Sequence, residues 1–436
     1  MFTAENNELL TRIERDSPMG RLFKNYWLPA CMSEEVAEPD GTPIRVRLLG
    51  ENYVAFRDTN GKVGIMHEHC PHRRASLLLA RNDDCGQRCI YHGWKMNVDG
   101  LVVDMPSEPP NSRMVGRIRH RAYPVQESGG FVWVYLGAVA GAADVPAFMA
   151  PPWANVNFAI SKVQSNANWA QVVEGVLDSA HSSTLHSSNI RPGGKGDRTS
   201  GGDLIIMDRP TNDAAPRIQV QRTEYGFRYA AIRTPTQNAD ERDYVRVTVF
   251  MAPFFSVIPP NAHWETVIMH IPLDDEHTMQ YSVGYSDRTV LDTEKFRERS
   301  GTRVGIELDD EYRPIRTQHN RYLQDRAAMK AGHFSGLQGV TTEDIAVNET
   351  MGPIADRTQE ILAVSDMAIV QFRQMMLQAI RDHEAGGPAI GTQVKWPRAD
   401  IRAFEGMIPK GVDWRTVAVT DAEVAGYVSQ SGLDAA

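Results

Sequence analysis

The chain of 436 residues carries 46 Lys and Arg against 55 Asp and Glu, a net charge of −9, with 42% hydrophobic and 23% charged residues. That length suggests two or three domains with a large core, which excludes a small stapled scaffold. The ordinary composition excludes disordered and collagen-like chains, and the acidic balance argues against a nucleic-acid partner. The opening MFTAENNELLTRIERD lacks the basic start and apolar stretch of a secretory signal, and no apolar run is long enough to cross a bilayer, so a cytoplasmic protein without a membrane partner is expected.

In chain order, the pattern predicts a helix around Asn7–Arg15 and then short alternating runs such as Ile44–Leu48 and Tyr53–Phe56, separated by turns such as 58–61. These runs recur to about Leu136 and read as a compact antiparallel β domain. The Pro- and Ala-containing stretch after Gly137 reads as a linker. Beyond it come a helical segment at Trp169–His186, a Gly-rich loop at 192–196, five longer β-type runs between 217 and 285, and helical periodicity at Ile354–His383. The expected class is α+β. The expected division is an N-terminal helical segment 1–40, a β domain 41–140, a linker 141–160, a larger α+β domain 161–400 and an extension 401–436.

Three of the four cysteines, Cys70, Cys85 and Cys89, crowd into residues 70–89. In a reducing compartment this favours metal ligation over disulfides. Cys70-x-His72 and Cys89-x-x-His92 each place one thiolate and one imidazole on a short loop. Zinc fingers usually pair Cys with Cys and His with His. The mixed pairing suits a [2Fe–2S] centre in which two thiolates hold one iron and two imidazoles the other. Cys31 and Cys85 read as packing residues, and His67 and His69 as ordinary strand histidines.

A second cluster reads Asp178-x-x-His181-x-x-x-x-His186. On an ideal helix the two histidines point about 140° apart, so one metal could take both only across a helix end or a bulge. Two His plus a carboxylate is the set used by non-haem Fe(II) oxygenases. Asp366, on the apolar side of the C-terminal periodic segment with Leu362 and Ile369, is the preferred third ligand; Asp344 and Asp356 are its rivals.

Cys70-Pro71-His72-Arg73 and Cys89-Ile90-Tyr91-His92-Gly93-Trp94, followed by the Asp178–His186 motif, resemble the Rieske non-haem iron ring-hydroxylating oxygenases. The opening Glu8–Ile13, the Asp104–Pro110 block and Gly352–Arg357 extend the likeness to the phthalate dioxygenase group. The resemblance implies an all-β Rieske domain followed by a helix-grip catalytic domain, with a [2Fe–2S] cluster on Cys70, His72, Cys89 and His92. It further implies mononuclear Fe(II) on His181, His186 and Asp366, and a ring of three copies, or stacked rings, in which Asp178 links His181 to the neighbour's His92. An NADH-dependent flavin and iron–sulfur reductase would supply electrons, and O2 and an aromatic carboxylate would be the substrates. Arg209 and Arg246 on the catalytic sheet, with Ser182, are the candidate carboxylate-binding residues, provided the strand register turns both arginines inward. The alternatives are a monooxygenase, demethylase or phenoxybenzoate dioxygenase on related aromatic acids and, from other classes, an electron carrier without oxygenase chemistry and a zinc-binding module.

Overall fold

The computed structural model describes residues 2–137, 151–192, 207–259, 264–287, 290–393 and 401–416. The chain divides into a unit of Ile13–Ala154 and a larger one that joins Met1–Arg12 to Asn155–Ala436. Both ends differ from the expected division. The strand Trp27–Met32 pairs antiparallel with Phe131–Tyr135, which places it in the β unit. Its run WLPACM is buried at every position, as an uninterrupted apolar strand requires. Phe404–Pro409, read as the start of an extension, is instead a sheet strand paired with Arg242–Met251. Residues 141–150 of the expected linker, and the glycines of the loop at 193–196, lie outside the described residues.

The smaller unit is mainly β, with one three-stranded and two four-stranded sheets beside the short helix Pro18–Phe23. One four-stranded sheet runs Arg81–Asp83, Gly86–Arg88, Lys95–Met96 and Val102–Asp104, all antiparallel. Its core gathers Val54, Phe56, Met66, Leu77, Met96 and Val102 around Cys70, Cys89 and Trp94. Cys31 is a packing cysteine at 1% exposure. Cys85 is half-buried and sits in a turn at φ +62°.

The larger unit is built on one eight-stranded sheet. Along the central strand Arg242–Met251, side chains alternate between two environments, as the pleat dictates. Val245 and Val247 pack with Ala230, Ile232, Phe404 and Trp414 on one face. Tyr244, Arg246, Thr248 and Phe250 take the other, where Phe250 meets Phe372 of the helix Met367–Glu384 edge-on at 5.3 Å between ring centroids. This sheet-and-long-helix arrangement is the expected helix-grip form. The helix begins at Met367 and not near Ile354, because the preceding stretch is largely irregular.

The helix Trp169–Leu177 lies deep in this unit, and Trp169, Ala170, Val172, Val173 and Leu177 are buried. Asn168 caps it: Oδ1 accepts from the Ala170 N–H at 3.0 Å, while Nδ2 donates to the carbonyls of Thr11 and Asp275. Glu174 on this helix is held by Arg357 at 3.0 Å and Arg373 at 2.8 Å, both buried. Burial pushes Glu174 up, but the two guanidiniums outweigh it and hold its carboxyl below the usual range.

Candidate functional site

The two cysteine loops are tight turns of the same design. The Arg74 N–H donates to the Cys70 carbonyl at 3.0 Å, and the Gly93 N–H donates to the Cys89 carbonyl at 2.9 Å. The fifth residue of each turn is left-handed, Arg74 at φ +64° and Gly93 at φ +76°. At Gly93 a side chain is also sterically barred, since a Cβ would stand 2.5 Å from Pro106. Each turn buries its cysteine and leaves its histidine half-exposed. Burial pushes the Cys70 thiol up to about 11; the N–H groups of His72 and Arg73 pull it down, and the adjacent Cys89 thiol pushes it up. The rings of His72 and His92 lie 4.5 Å apart, and His72 stacks on Trp94. His72 Nδ1 is buried without a hydrogen-bond partner. Two facing thiols, two adjacent imidazoles and an orphaned ring nitrogen fit a [2Fe–2S] cluster with two Cys and two His ligands.

In the larger unit the histidine motif is resolved by a helix end. The helix stops at Leu177 and Asp178 is extended (φ −88°, ψ 104°). Asp178 Oδ1 accepts from the Ala180 N–H at 2.7 Å and the His181 N–H at 3.3 Å, which turns the chain into a short 3₁₀ segment, His181–Ser183. The turn brings His181 Nε2 to 3.1 Å from His186 Nε2. Asp178 Oδ2 backs His181 Nδ1 at 3.5 Å.

The carboxylate that joins the two histidines is Asp344, and this corrects the preference for Asp366. Asp344 Oδ1 lies 3.1 Å from His186 Nε2 and 3.6 Å from His181 Nε2. Among the described residues these three form the one cluster whose donor atoms all fall within 4.8 Å of each other. Asp366 accepts from the Ala363 N–H at 2.6 Å and closes a local turn before the long helix. Of the two apolar residues that recommended it, Leu362 is 40% exposed and Ile369 only half-buried. Asp356 likewise serves its own turn through Thr358 and Gln359.

Asp344 and its neighbour Glu343 enter on the first turns of the helix Val340–Thr350. Glu343 is fully buried, and its Oε2 accepts from His186 Nδ1 at 2.7 Å. Burial alone would lower the His186 imidazole, yet Asp344 and Glu343 push it up to about 9. Two imidazole nitrogens and one carboxylate converging on a point, with a protein carboxylate behind each imidazole, fit a divalent iron with open coordination positions.

Register settles the facing of Arg246, whereas Arg209 lies off the catalytic sheet, contrary to expectation, on the short strand Met207–Arg209 that pairs parallel with Ile190–Pro192. Arg246 stands opposite Ala231 and Tyr244 opposite Arg233, so Arg233, Tyr244 and Arg246 share one sheet face, and Glu405 of the last described strand stands opposite Arg246 there too. Arg209, Arg233 and Arg246 are all buried. Arg246 pairs with Glu405 at 2.8 Å, and Tyr244 hydrogen-bonds the same carboxylate. Arg209 donates to Ser182 Oγ at 2.8 Å, and Arg233 donates to the Ser179 carbonyl at 2.7 Å and Ser183 Oγ at 3.3 Å. Arg209 and Arg233 therefore grip the segment that carries His181. Neither Arg209 nor Arg233 has an ion-pair partner among the described residues, and Arg209 Nε with Arg233 Nε and Nη1 are buried and unpartnered. Burial, followed by Arg246, pushes Arg209 down to about 9 and lowers Arg233. Glu343, Asp344 and Glu405 were not singled out as site members by the sequence, except that Asp344 stood as a rival.

Residues 26–128 match the family model of the Rieske [2Fe–2S] domain, and residues 134–434 match that described as LigXa C-terminal domain like. The phthalate 4,5-dioxygenase oxygenase subunit of Pseudomonas putida is 50% identical over 95% of this chain and 94% of its own. The 3-chlorobenzoate-3,4-dioxygenase oxygenase subunit of Comamonas testosteroni is 35% identical over 95% and 98%. Among solved structures, the terminal oxygenase of carbazole 1,9a-dioxygenase from Novosphingobium sp. KA1 superposes with a TM-score of 0.55 at 21% identity, covering 87% of this chain and 99% of that one, a likeness of fold.

Proposed function

We propose, from the premise that this chain belongs to the Rieske non-haem iron oxygenases, that it is the terminal oxygenase for an aromatic dicarboxylate of the phthalate kind. The observation that carries the reading is the arginine cluster beside the histidine turn: three buried guanidiniums, of which Glu405 balances one. Asp213 also attracts Arg233, but its oxygens accept from the backbone N–H groups of Ala215 and Thr234. A buried excess of positive charge with unused donors favours a ligand that brings its own carboxylates.

Cys70, His72, Cys89 and His92 would hold the cluster, and His181, His186 and Asp344 the mononuclear iron. The iron, when bound and reduced through the cluster, supplies the oxygen chemistry. The chain's own residues do the rest. Arg209 and Arg246 would take the substrate carboxylates, with the Ser182 hydroxyl fixing Arg209, and Arg233 would steady the turn that bears His181. Since these groups hold both the substrate and the segment Ser179–Ser183, they set the distance between ring and iron site.

Electrons would come from an NADH-dependent flavin and iron–sulfur reductase acting in the cytoplasm. A head-to-tail ring of three copies would bring His92 of one copy toward Asp178 of the next; both side chains reach solvent here, Asp178 with 24% of its side chain exposed. No helix among the described residues is long and apolar enough to cross a membrane.

The test is reductase-coupled oxygen uptake on phthalate, isophthalate, terephthalate and benzoate, with product analysis. Stoichiometric uptake with a dicarboxylate and a cis-dihydrodiol product is expected. Equal turnover of benzoate would sink the dicarboxylate reading, and a phenol or a demethylated product from a related acid would redirect it to monooxygenation.

A further inference from the structure

We infer that Glu343 is a positioning residue for the mononuclear metal, fixing His186 from behind. This rests on the reading that His181, His186 and Asp344 hold the iron. Glu343 has no solvent exposure and no Lys or Arg partner among the described residues. Its carboxylate accepts from three neutral or imidazole donors instead: His186 Nδ1 at 2.7 Å, Asn189 Nδ2 at 3.1 Å, and Ser335 Oγ. A buried carboxylate without a cation is costly, so its counter-charge has to reach it through one of these donors. His186 alone leads to a place where a cation fits, since its Nε2 lies among Asp344 and His181.

The arrangement does three things to His186. It puts the ring proton on Nδ1 and leaves the Nε2 lone pair toward the site; it locks the ring's rotation; and it makes Nε2 a stronger donor to a metal. The carboxylate is itself braced. Asn189 closes the turn after His186, and Ser335 accepts from the Leu337 N–H at 3.1 Å. The Phe334 N–H donates to Ser188 Oγ at 2.8 Å, so the segment carrying Ser335 is tied to the histidine turn itself.

His181 is served differently. Its backing carboxylate, Asp178, stands at 3.5 Å and is partly exposed, and its Oδ1 is committed to backbone N–H groups. The geometry thus makes His186 the fixed ligand and His181 the adjustable one. The Glu343–Asp344 pair accounts for both halves of this corner, since adjacent residues of one helix supply a ligand and the brace of another ligand.

The test uses the full chain with its cluster intact, the mononuclear site emptied by a chelator, and Fe(II) alone returned in a competition titration. Glu343→Gln is expected to weaken Fe(II) binding by about 10- to 100-fold. Glu343→Asp, which keeps the charge at shorter reach, should recover part of it. A role confined to folding would lower the melting temperature and leave the Fe(II) affinity of the folded fraction at the parent value, and that result would overturn the inference. Should Glu343→Gln not fold, Ser335→Ala replaces it: a several-fold loss of Fe(II) affinity is expected, and parent affinity refutes the brace. His186→Ala in parallel separates the two levels, for if it too binds Fe(II) like the parent, the ligand assignment itself has failed.

Discussion

The two metal sites of this chain are assembled in opposite ways. The cluster site is local: its four proposed ligands fall between Cys70 and His92, on two turns whose hydrogen bonds and left-handed residues are set by their own sequence. The iron site is a tertiary product. Its histidines sit on one turn, but the acidic helix that completes it is distant in the chain, with 157 positions separating His186 from Glu343. A local site depends on turn chemistry, whereas a distributed one depends on everything that holds helix Trp169–Leu177, helix Val340–Thr350 and the sheet in place. The two should therefore fail independently and respond to different kinds of damage.

The strongest way to break this contrast is to remove ligands one site at a time. His181→Ala or Asp344→Ala should abolish substrate oxidation and iron retention while leaving the Rieske visible and EPR spectra unchanged; Cys89→Ser should do the reverse to the spectra. Asp366→Asn belongs in the same series as the negative arm, with oxidation near parent level and little stability cost, since an amide oxygen still accepts from the Ala363 N–H. Loss of turnover in Asp366→Asn and not in Asp344→Ala would restore the sequence preference.

Next in size is the buried brace. Glu174→Gln leaves Arg357 and Arg373 without their carboxylate, and removing one side of a buried ionic group costs about 3–5 kcal/mol. The melting transition of the larger unit should fall and iron retention with it, while the cluster survives. The pH dependence has a definite sign: because the folded state holds Glu174 below its ordinary value, its contribution is present above the unfolded carboxylate range, near pH 4.3, and is lost as pH falls further. Chemical denaturation at pH 6 and pH 3.5, parent against variant, reads this directly.

Smaller still, Arg246→Ala should raise the KM for a carboxylate substrate by about 30-fold, the equivalent of about 2 kcal/mol for a charged hydrogen bond, with an undisturbed cluster spectrum. The same KM in variant and parent would remove Arg246 from the carboxylate site. Asn168→Ala should lower the stability of the larger unit by about 1–2 kcal/mol through loss of the cap, with no change in the smaller.

What could be read in the sequence follows the same divide. The proposed cluster ligands were plain because the spacing of Cys70, His72, Cys89 and His92 itself suggests the site. The angular conflict between His181 and His186 pointed to a helix end, and Asp178 provides it by capping the turn that follows. The third ligand was misread because periodicity from Ile354 onward implied one continuous helix. The chain does not become α-helical until Met367, so Asp366 falls in a surface turn. Glu343 carried no such signal and Asp344 stood only as a rival, since acidic residues near a helix start are common and only the packing of that helix turns them inward. Arg209 and Arg246 were found from strand context, but the facing of Arg246 had to await the register, and Arg209 lies off the catalytic sheet. Arg233, Glu405 and the strand that bears Glu405 could not be placed without the sheet.

That strand has a bearing on how the molecule is made. Residues are added from the amino end, and every proposed cluster and iron ligand lies at or before Asp344, whereas Glu405 arrives on one of the last strands to be synthesised. A polypeptide released before Phe404 would carry all its metal ligands yet present Arg246 unmatched and the sheet edge at Arg242–Val247 uncovered. Such a fragment would be coloured, iron-binding and sticky. Metal content alone is therefore a poor measure of how many molecules in a preparation carry the strand that matches Arg246.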